Sequence, residues 1–278
     1  MKIAVTGAGG GLGRAFLERG VGDHEVHTFT RGDLDVRDLD AVLAAIPGVR
    51  PDLVFHLAAM TSVDGCESDR RRAAETNVLG SFNVAAAARE AGAIMVATST
   101  DYVFDGEKRE PYDERDRPNP LSFYGLTKLA GERAVEAVAP DALIIRTAWV
   151  FGAGNDFVWQ AIRRLAGGQE VGGIVDQVGS PTYVGHLAER LLPLVRSGLR
   201  GVVHLAGPEA VNWHQVLSRA ARLGSLPGEV LEQKADELAR PAPRPANSAL
   251  TSVRLEGAGI PAMPPLDQAI REVLDRVV

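Results

Sequence analysis

Residues 2–13 read KIAVTGAGGGLG. Apolar Ile3-Ala4-Val5 suits a short strand, and Leu12–Gly20 carries a helical pattern, so the glycines fall at a strand-to-helix turn. The spacing Gly7-x-x-Gly10-x-x-Gly13 has a physical logic. One glycine makes a tight turn, one lets backbone approach a pyrophosphate, and one lets the helix pack close to the strand. The start of the helix adds unpaired N–H groups and positive partial charge. In a chain with 30 glycines among 278 residues the pattern alone could mark a plain turn. The strand before it and the helix after it favour a dinucleotide.

Outward from this turn, short apolar runs alternate with helical patterns. Ile3–Val5, Glu25–Phe29, Leu53–Ala58, Ile94–Ser99 and Leu143–Ala148 read as strands. Leu12–Gly20, Leu39–Ile46, Glu75–Gly92 and Leu121–Ala139 read as helices. Such alternation implies an α/β fold: a doubly wound, Rossmann-like parallel sheet with helices on both faces. The strands are almost continuously apolar, as burial on both faces requires. Residues 1–150 are therefore expected to form a dinucleotide-binding domain. Beyond residue 150 Gly167-Gly168, Gly172-Gly173 and two proline-rich stretches break the rhythm. Residues 151–278 are expected to form mainly a smaller C-terminal substrate-binding lobe, with a strand near 201–206 returning to the main sheet.

Composition narrows the function. Hydrophobic residues make up 45% and charged residues 24%, values of a folded globular chain. A net charge of −6 disfavours a nucleic-acid partner. The single cysteine, Cys66, allows no internal disulfide and no four-thiolate zinc site. The six histidines show no metal-ligand spacing, so no metal is expected. No apolar run approaches ~18 residues, and three apolar residues at the N-terminus are too few for a signal peptide. The expectation is a soluble cytoplasmic protein without a membrane or nucleic-acid partner.

Three further segments carry chemistry. Thr30-Arg31 closes the second strand, where an NAD site usually places a carboxylate on the ribose. The missing carboxylate removes repulsion toward a 2′-phosphate, and a guanidinium can pair with it, so NADPH is favoured over NADH, with a plain surface arginine as the alternative. Asp35 falls where it could lie beside the adenine. Tyr124-Gly125-Leu126-Thr127-Lys128 sets a phenol and an amine at i and i+4, on one helix face. With four tyrosines and four lysines in the chain, chance supplies about 4 × 4/278 ≈ 0.06 such pairs. An ammonium beside a phenol favours the phenolate, so Lys128 is expected to lower the Tyr124 pKa. Ser99-Thr100-Asp101-Tyr102-Val103-Phe104-Asp105-Gly106 follows a strand end, where sites of doubly wound folds sit. There Thr100 could donate to a carbonyl beside Tyr124, or its hydroxyl could serve only the local turn.

Together these segments resemble the extended short-chain dehydrogenase/reductase superfamily and, within it, the dTDP-4-dehydrorhamnose reductase family. The resemblance spans nearly the whole chain. It rests on Gly7–Gly13, Ala58–Asp64, Thr76-Asn77-Val78, residues 99–106, Pro111-Tyr112 and Tyr124–Glu132. It continues through Arg146–Gly152, Asp176-Gln177 with Gly179–Thr182, His204–Gly207, and Arg244-Pro245 with Asn247-Ser248. It implies NADPH-dependent reduction, with NADH as the alternative, of the 4-keto group of dTDP-4-dehydro-beta-L-rhamnose to dTDP-L-rhamnose. Tyr124 would protonate the oxyanion, and Lys128 would tune Tyr124 and bond the nicotinamide ribose. Thr100 would bond the substrate oxygen, with Asp101 alongside and Trp149 packing on the sugar. Gly10, Gly11 and Leu12 would hold the pyrophosphate; Asp35 and Val36 would border the adenine; Ala58, Ala59, Met60 and Thr61 would line the cofactor. Asn77 would support Lys128 through water, unless it is an ordinary helix-surface amide.

Departures from the family pattern matter too. Ala15 and Gly185 stand where some relatives hold magnesium through acids at a dimer contact, so no such metal is expected. A homodimer stays open. Arg244 and Arg163-Arg164 are candidate cations for a dianionic sugar nucleotide. Tyr102 stands where sugar-nucleotide dehydratases place a glutamate, which removes the base for water elimination. An epimerase, a reductase of another nucleotide-linked 4-keto sugar, and a regulatory subunit like that of methionine adenosyltransferase remain as rivals.

Overall fold

The computed structural model describes residues 1–277. Its strands are β1 (Lys2–Thr6), β2 (Glu25–Phe29), β3 (Leu53–His56), β4 (Ile94–Thr100), β5 (Leu143–Thr147), β6 (Val150–Phe151), β7 (Val171–Ile174), β8 (Thr182–Tyr183), β9 (Gly201–His204) and β10 (Val230–Gln233). Its helices are α1 (Gly11–Ala15), α2 (Leu39–Val49), α3 (Val63–Ser68), α4 (Arg70–Ala74), α5 (Gly80–Glu90), α6 (Phe123–Val138), α7 (Phe157–Ala166), α8 (Val184–Arg196), α9 (Trp213–Gly224) and α10 (Leu266–Val277). A π-helical turn, Phe16–Gly20, follows α1, and another, Glu75–Leu79, joins α4 to α5.

Six strands form one parallel sheet in the order β2-β1-β3-β4-β5-β9. The order reverses beside β1, and in such sheets ligands bind beyond the strand carboxyl ends at that switch point. The glycine turn that follows β1 therefore sits where a ligand belongs. Successive side chains of a strand face opposite ways. Ile3, Val5, Phe55 and Ile145 accordingly join Leu187 and Leu191 of α8 on one face. Ala4, Val54 and Ile144 join Val42 of α2, Val84 of α5 and Val135 of α6 on the other. The sheet is thus doubly wound. Burial on both faces holds for β1, β3 and β5, whereas edge strand β2 is only partly covered.

The C-terminal part adds two small parallel pairs, β7–β10 and β6–β8. Phe151, Tyr183, Ile270 and Val273 pack into the same core as Ile3 and Phe55, so the apolar interior is continuous across residue 150. Several boundaries differ from the apolar pattern. β3 stops at His56 and β5 at Thr147, because the residues after them leave the sheet to line a cleft. The helix read from Glu75 already begins at Arg70, where the Asp69 carboxylate accepts from Arg72 N at 3.0 Å. The helix read from Leu121 begins at Phe123, capped by the Ser122 hydroxyl on Gly125 N at 3.1 Å. Among the described residues no helix is long and apolar enough to cross a membrane.

Candidate active site

The glycine turn is built by close approach. Gly7 holds φ +72°, and a Cβ there would stand 2.5 Å from Ala58 N. A Cβ on Gly13 would stand 2.4 Å from Gly7 O. Side chains at either position would push β1, the loop after β3 and α1 apart. Gly10 caps α1 without a side chain, and the first turn holds no acid. The resulting backbone surface is free of bulk and of negative charge, which suits a pyrophosphate.

A cleft with two chambers runs over the strand ends. The outer chamber, about 470 Å³, is lined by Gly7, Gly10, Thr30, Arg31, Asp35, Val36, Ala58, Ala59 and Met60. The inner chamber, about 510 Å³, is lined by Gly10, Gly11, Leu12, Gly13, Thr61, Thr100, Asp101, Tyr124, Lys128 and Trp149. Gly10, Leu57 and Ala59 belong to both. Each chamber has the volume of a small-molecule site. The residues expected from the sequence to hold the cofactor, together with Thr100, Asp101 and Trp149, thus face one continuous cleft.

In the outer chamber Thr30 donates to the Asp33 carboxylate from both N, at 2.9 Å, and Oγ1, at 2.6 Å. The Asp35 carboxylate is held by Arg37 at 2.5 Å, and that pairing keeps it down at about 2. Its charge is therefore balanced within the protein. Arg31 and Arg72 also line this chamber, and neither guanidinium has a hydrogen-bond or ion-pair partner among the described residues. Arg72 and Arg37 come from elements whose placement the sequence does not reveal. The wall beyond is fixed by Asn77, which is buried in the π-helical turn between α4 and α5. Its Oδ1 accepts from Met60 N at 2.8 Å, and its Nδ2 donates to Met60 O and to Thr127 Oγ1. It is a clamp between the cofactor wall and α6, not a surface amide.

In the inner chamber α6 packs directly on the turn after β4. A Cβ at Gly125 would stand 2.0 Å from Tyr102 O, so only glycine allows that approach. The approach sets Tyr102 edge-on to the Tyr124 ring at 6.0 Å and brings Tyr124 and Thr100 into the wall of the same chamber. Lys128, one helical turn on, donates from Nζ to Thr98 O at 2.8 Å. Burial pulls its amine down to about 8. The expectation that Lys128 lowers the Tyr124 pKa is not met. Burial raises that phenol well above its usual value, Asp101, Cys66 and Tyr102 add to the rise, and Thr100 opposes it. The ammonium is spent on a carbonyl, and desolvation outweighs a charge one turn away.

Asp101 is buried under this group. Its Oδ1 accepts from Thr100 Oγ1 at 3.0 Å, while Oδ2 has no partner. Burial pushes its carboxyl up to about 7. Behind β4, buried Glu132 holds Arg146 at 2.7 Å and 2.9 Å and accepts from the Ser99 hydroxyl. This pair fixes the strand end that presents Thr100.

Trp149 has φ +44°, a strained value for a non-glycine residue, and stacks on Trp213 with centroids 4.3 Å apart. Trp213 is a cleft residue that sequence reading missed. The signal available was the capping pair Asn212 and Gln215, which places Trp213 first in α9. The proposed cations fare differently. Arg244 is locked to Asp64 at 2.8 Å, and Arg164 is engaged by Gln169 and Glu170. Neither these two nor Arg163 lines the cleft. At Gly185 a Cβ would stand 2.5 Å from Arg19 Nη1, so a guanidinium paired to Glu189 and Glu272 occupies that region. Among the described residues no group of three or more His, Cys, Asp or Glu could hold a metal.

A glycine cradle joined to a Thr–Tyr–Lys group over the ends of a parallel sheet can be compared with known proteins. The profile of the RmlD substrate binding domain matches residues 1–278. The chain belongs to that family. It is 38% identical over 283 residues to a dTDP-4-dehydrorhamnose reductase of Mycolicibacterium smegmatis, covering 100% of this chain and 86% of the relative. It is 36% identical to a probable dTDP-4,6-dihydroxy-2-methyloxan-3-one 4-ketoreductase of Streptomyces antibioticus, covering 100% and 96%. The crystal structure of the Bacillus anthracis dTDP-4-dehydrorhamnose reductase in complex with NADP superposes with a TM-score of 0.94 at 32% identity, over 99% of each chain.

Proposed function

We propose that the chain is an NADPH-dependent reductase that converts the 4-keto group of dTDP-4-dehydro-beta-L-rhamnose to the alcohol of dTDP-L-rhamnose. The observation that carries this reading is the convergence of Thr100, Tyr124 and Lys128 on the chamber that adjoins the glycine cradle. Relatives named for this reduction cover the chain from end to end. Gly7, Gly10, Gly11, Leu12 and Gly13 would hold the pyrophosphate. Thr30, Arg31, Asp35 and Val36 would surround the adenosine end, and Ala58, Ala59, Met60 and Thr61 the rest of the cofactor. Arg31 and Arg72 supply unspent positive charge for a 2′-phosphate, which favours NADPH over NADH.

When bound, NADPH supplies the hydride for the carbonyl carbon. Tyr124 gives its proton to the developing alkoxide, and solvent restores it afterwards, so one ketone, one hydride and one proton yield one alcohol. A phenol held neutral by burial is in the correct form for this step, because an alkoxide is far more basic than a phenolate. Lys128 is the one cation lining the chamber among the described residues, and it balances the tyrosinate left behind. Thr100 orients the oxygen. Trp149, stacked on Trp213, completes the chamber wall beside a sugar ring. Tyr102 stands where elimination would need a carboxylate, so the reading is reduction without loss of water.

A second reading, a reductase of another nucleotide-linked 4-keto sugar, is favoured by the Streptomyces antibioticus relative. A panel of dTDP-, GDP- and UDP-linked 4-keto sugars, followed by loss of NADPH absorbance, separates the two. The account expects turnover with dTDP-4-dehydro-beta-L-rhamnose at least tenfold more efficient than with the others. Preference for a different sugar selects the second reading, and no turnover with any of them refutes both.

A further inference from the structure

Trp149 lines the inner chamber with its backbone in a strained conformation, φ +44°. A clamp holds its ring. Gly179 N donates to Val211 O and Val211 N donates to Gly179 O, each at 3.0 Å. Trp213, two residues beyond Val211, opens α9 behind the Asn212 cap. Gly179 and Trp213 are therefore the two jaws of one backbone bridge, and the Trp149 indole lies between them.

The first jaw is bare backbone. A Cβ on Gly179 would stand 2.2 Å from Trp149 Cε2 and 2.6 Å from each of Cδ2 and Nε1, the two five-ring atoms bonded to Cε2. A point so close to Cε2 and equally distant from those neighbours lies over the ring, not beside it. The Gly179 backbone thus rests on one indole face, where no side chain fits. The second jaw is Trp213, tilted by only 10° from Trp149 with centroids 4.3 Å apart. One indole face accepts one layer at such a distance, so the two covers take opposite faces. The packing on a sugar that the family resemblance implies for Trp149 is therefore closed to both faces, and the chamber meets the edge of the ring.

That edge carries one polar atom. Nε1–H can only donate. Among the described residues it has no hydrogen-bond partner, and it is not one of the polar atoms sealed away from open space. The open space that Trp149 borders is the inner chamber. Trp149 stands two residues past Thr147, whose register partner on β4 is Thr100. The indole edge and the Thr100 hydroxyl thus rise from neighbouring strand ends, beside the place given to the reacting carbonyl. The oxygens next to that carbonyl are sugar hydroxyls. Building on the reductase reading, we infer that Trp149 Nε1–H donates a hydrogen bond to a sugar hydroxyl, so that Trp149 reads the substrate with its edge and sets sugar specificity. The clamp fixes the donor before the substrate arrives, which is what orientation requires.

The test replaces Trp149 with benzothienylalanine, which keeps the shape of the indole and both covers but has sulfur in place of N–H. kcat/KM with dTDP-4-dehydro-beta-L-rhamnose should fall about tenfold, the loss of one hydrogen bond whose partner stays unpaired. Tm and the Kd for NADPH should stay at their wild-type values. The 2-deoxy and 3-deoxy analogues of the substrate identify the hydroxyl. One of them should cost the wild type about tenfold and the variant less than about twofold, because the two losses are the same bond. A variant with kcat/KM within about twofold of wild type overturns the proposal, and so do equal analogue penalties in both proteins. Should the variant fold poorly, the indole N–H signals of the wild type decide. The chain has three tryptophans, and Trp159→Phe and Trp213→Phe assign the Trp149 signal by elimination. Saturating dTDP-L-rhamnose with NADP should move that signal downfield and slow its exchange with water; an unmoved signal overturns the proposal. A wild type that reduces no keto sugar refutes the reductase reading itself, while an active wild type with an indifferent Nε1 refutes only the role of Trp149.

Discussion

Replacing Arg31 with alanine should change which dinucleotide the protein prefers. Arg31 lines the outer chamber, is exposed, and has no partner for its guanidinium among the described residues. The nearby acid, Asp35, is paired mainly with Arg37, which blunts its repulsion of a phosphate and leaves Arg31 only a weaker, through-space share of that carboxylate. A charge-assisted hydrogen bond contributes about 1.5–3 kcal/mol. Solvent screening at an exposed site argues for the low end. About 1.4 kcal/mol corresponds to a tenfold change in affinity. Arg31→Ala should therefore weaken NADPH about tenfold and leave NADH within about twofold. Removing Arg72 as well should deepen the NADPH loss toward about a hundredfold if the two act independently. Fluorescence titration of both cofactors at two salt concentrations reads this directly, with the NADPH loss shrinking at high salt. Equal weakening of NADPH and NADH, or no change in either, would refute the assignment of Arg31 to the 2′-phosphate.

Other perturbations follow from the interior. Glu132→Gln strips the buried Arg146 of its counter-charge and should cost about 3–5 kcal/mol in urea unfolding, while a Glu132→Met, Arg146→Met double variant should cost less than the sum of its parts. His56 is held near 3 and His204 below its usual value, both mainly by burial. Their folded pKa values lie beneath the unfolded ~6.5, so stability is complete above that pH and is lost as pH falls. Each fully shifted histidine contributes about 1.4 kcal/mol per pH unit, visible as a decline in Tm between pH 6.5 and 4.5. Gly125→Ala drives a methyl into Tyr102 O and should lower kcat and Tm together, because α6 must move off the turn that carries Thr100.

The parts of the fold and site that could be read from sequence are the local ones. The inner strands announce themselves as unbroken apolar runs because both sheet faces are covered. The glycine turn is legible because steric contacts within a few residues, such as Gly13 against Gly7 O, dictate it. Thr100 is found because it closes a strand, and Asp101 and Trp149 because each lies just past a strand end. What was not legible depends on distant segments meeting. Nothing in the sequence near Trp149 points to Trp213, nor anything near Thr30 to Arg72. Arg244 looked like a free cation until Asp64 was found on it. The Tyr124 phenol was misread for the same reason. The i,i+4 spacing reports the neighbouring amine, but burial and the carboxyl beneath it are tertiary facts, and they decide the direction of the shift.

The central claim is that Tyr124 delivers the proton during ketone reduction, and Tyr124→Phe tests it most directly. The substitution removes one oxygen from a buried ring and leaves the glycine cradle untouched. The account predicts that kcat with NADPH and dTDP-4-dehydro-beta-L-rhamnose falls by about 10²–10⁴, while the Kd for NADPH stays within about twofold. Turnover within twofold of wild type would contradict the claim and place the proton donor elsewhere.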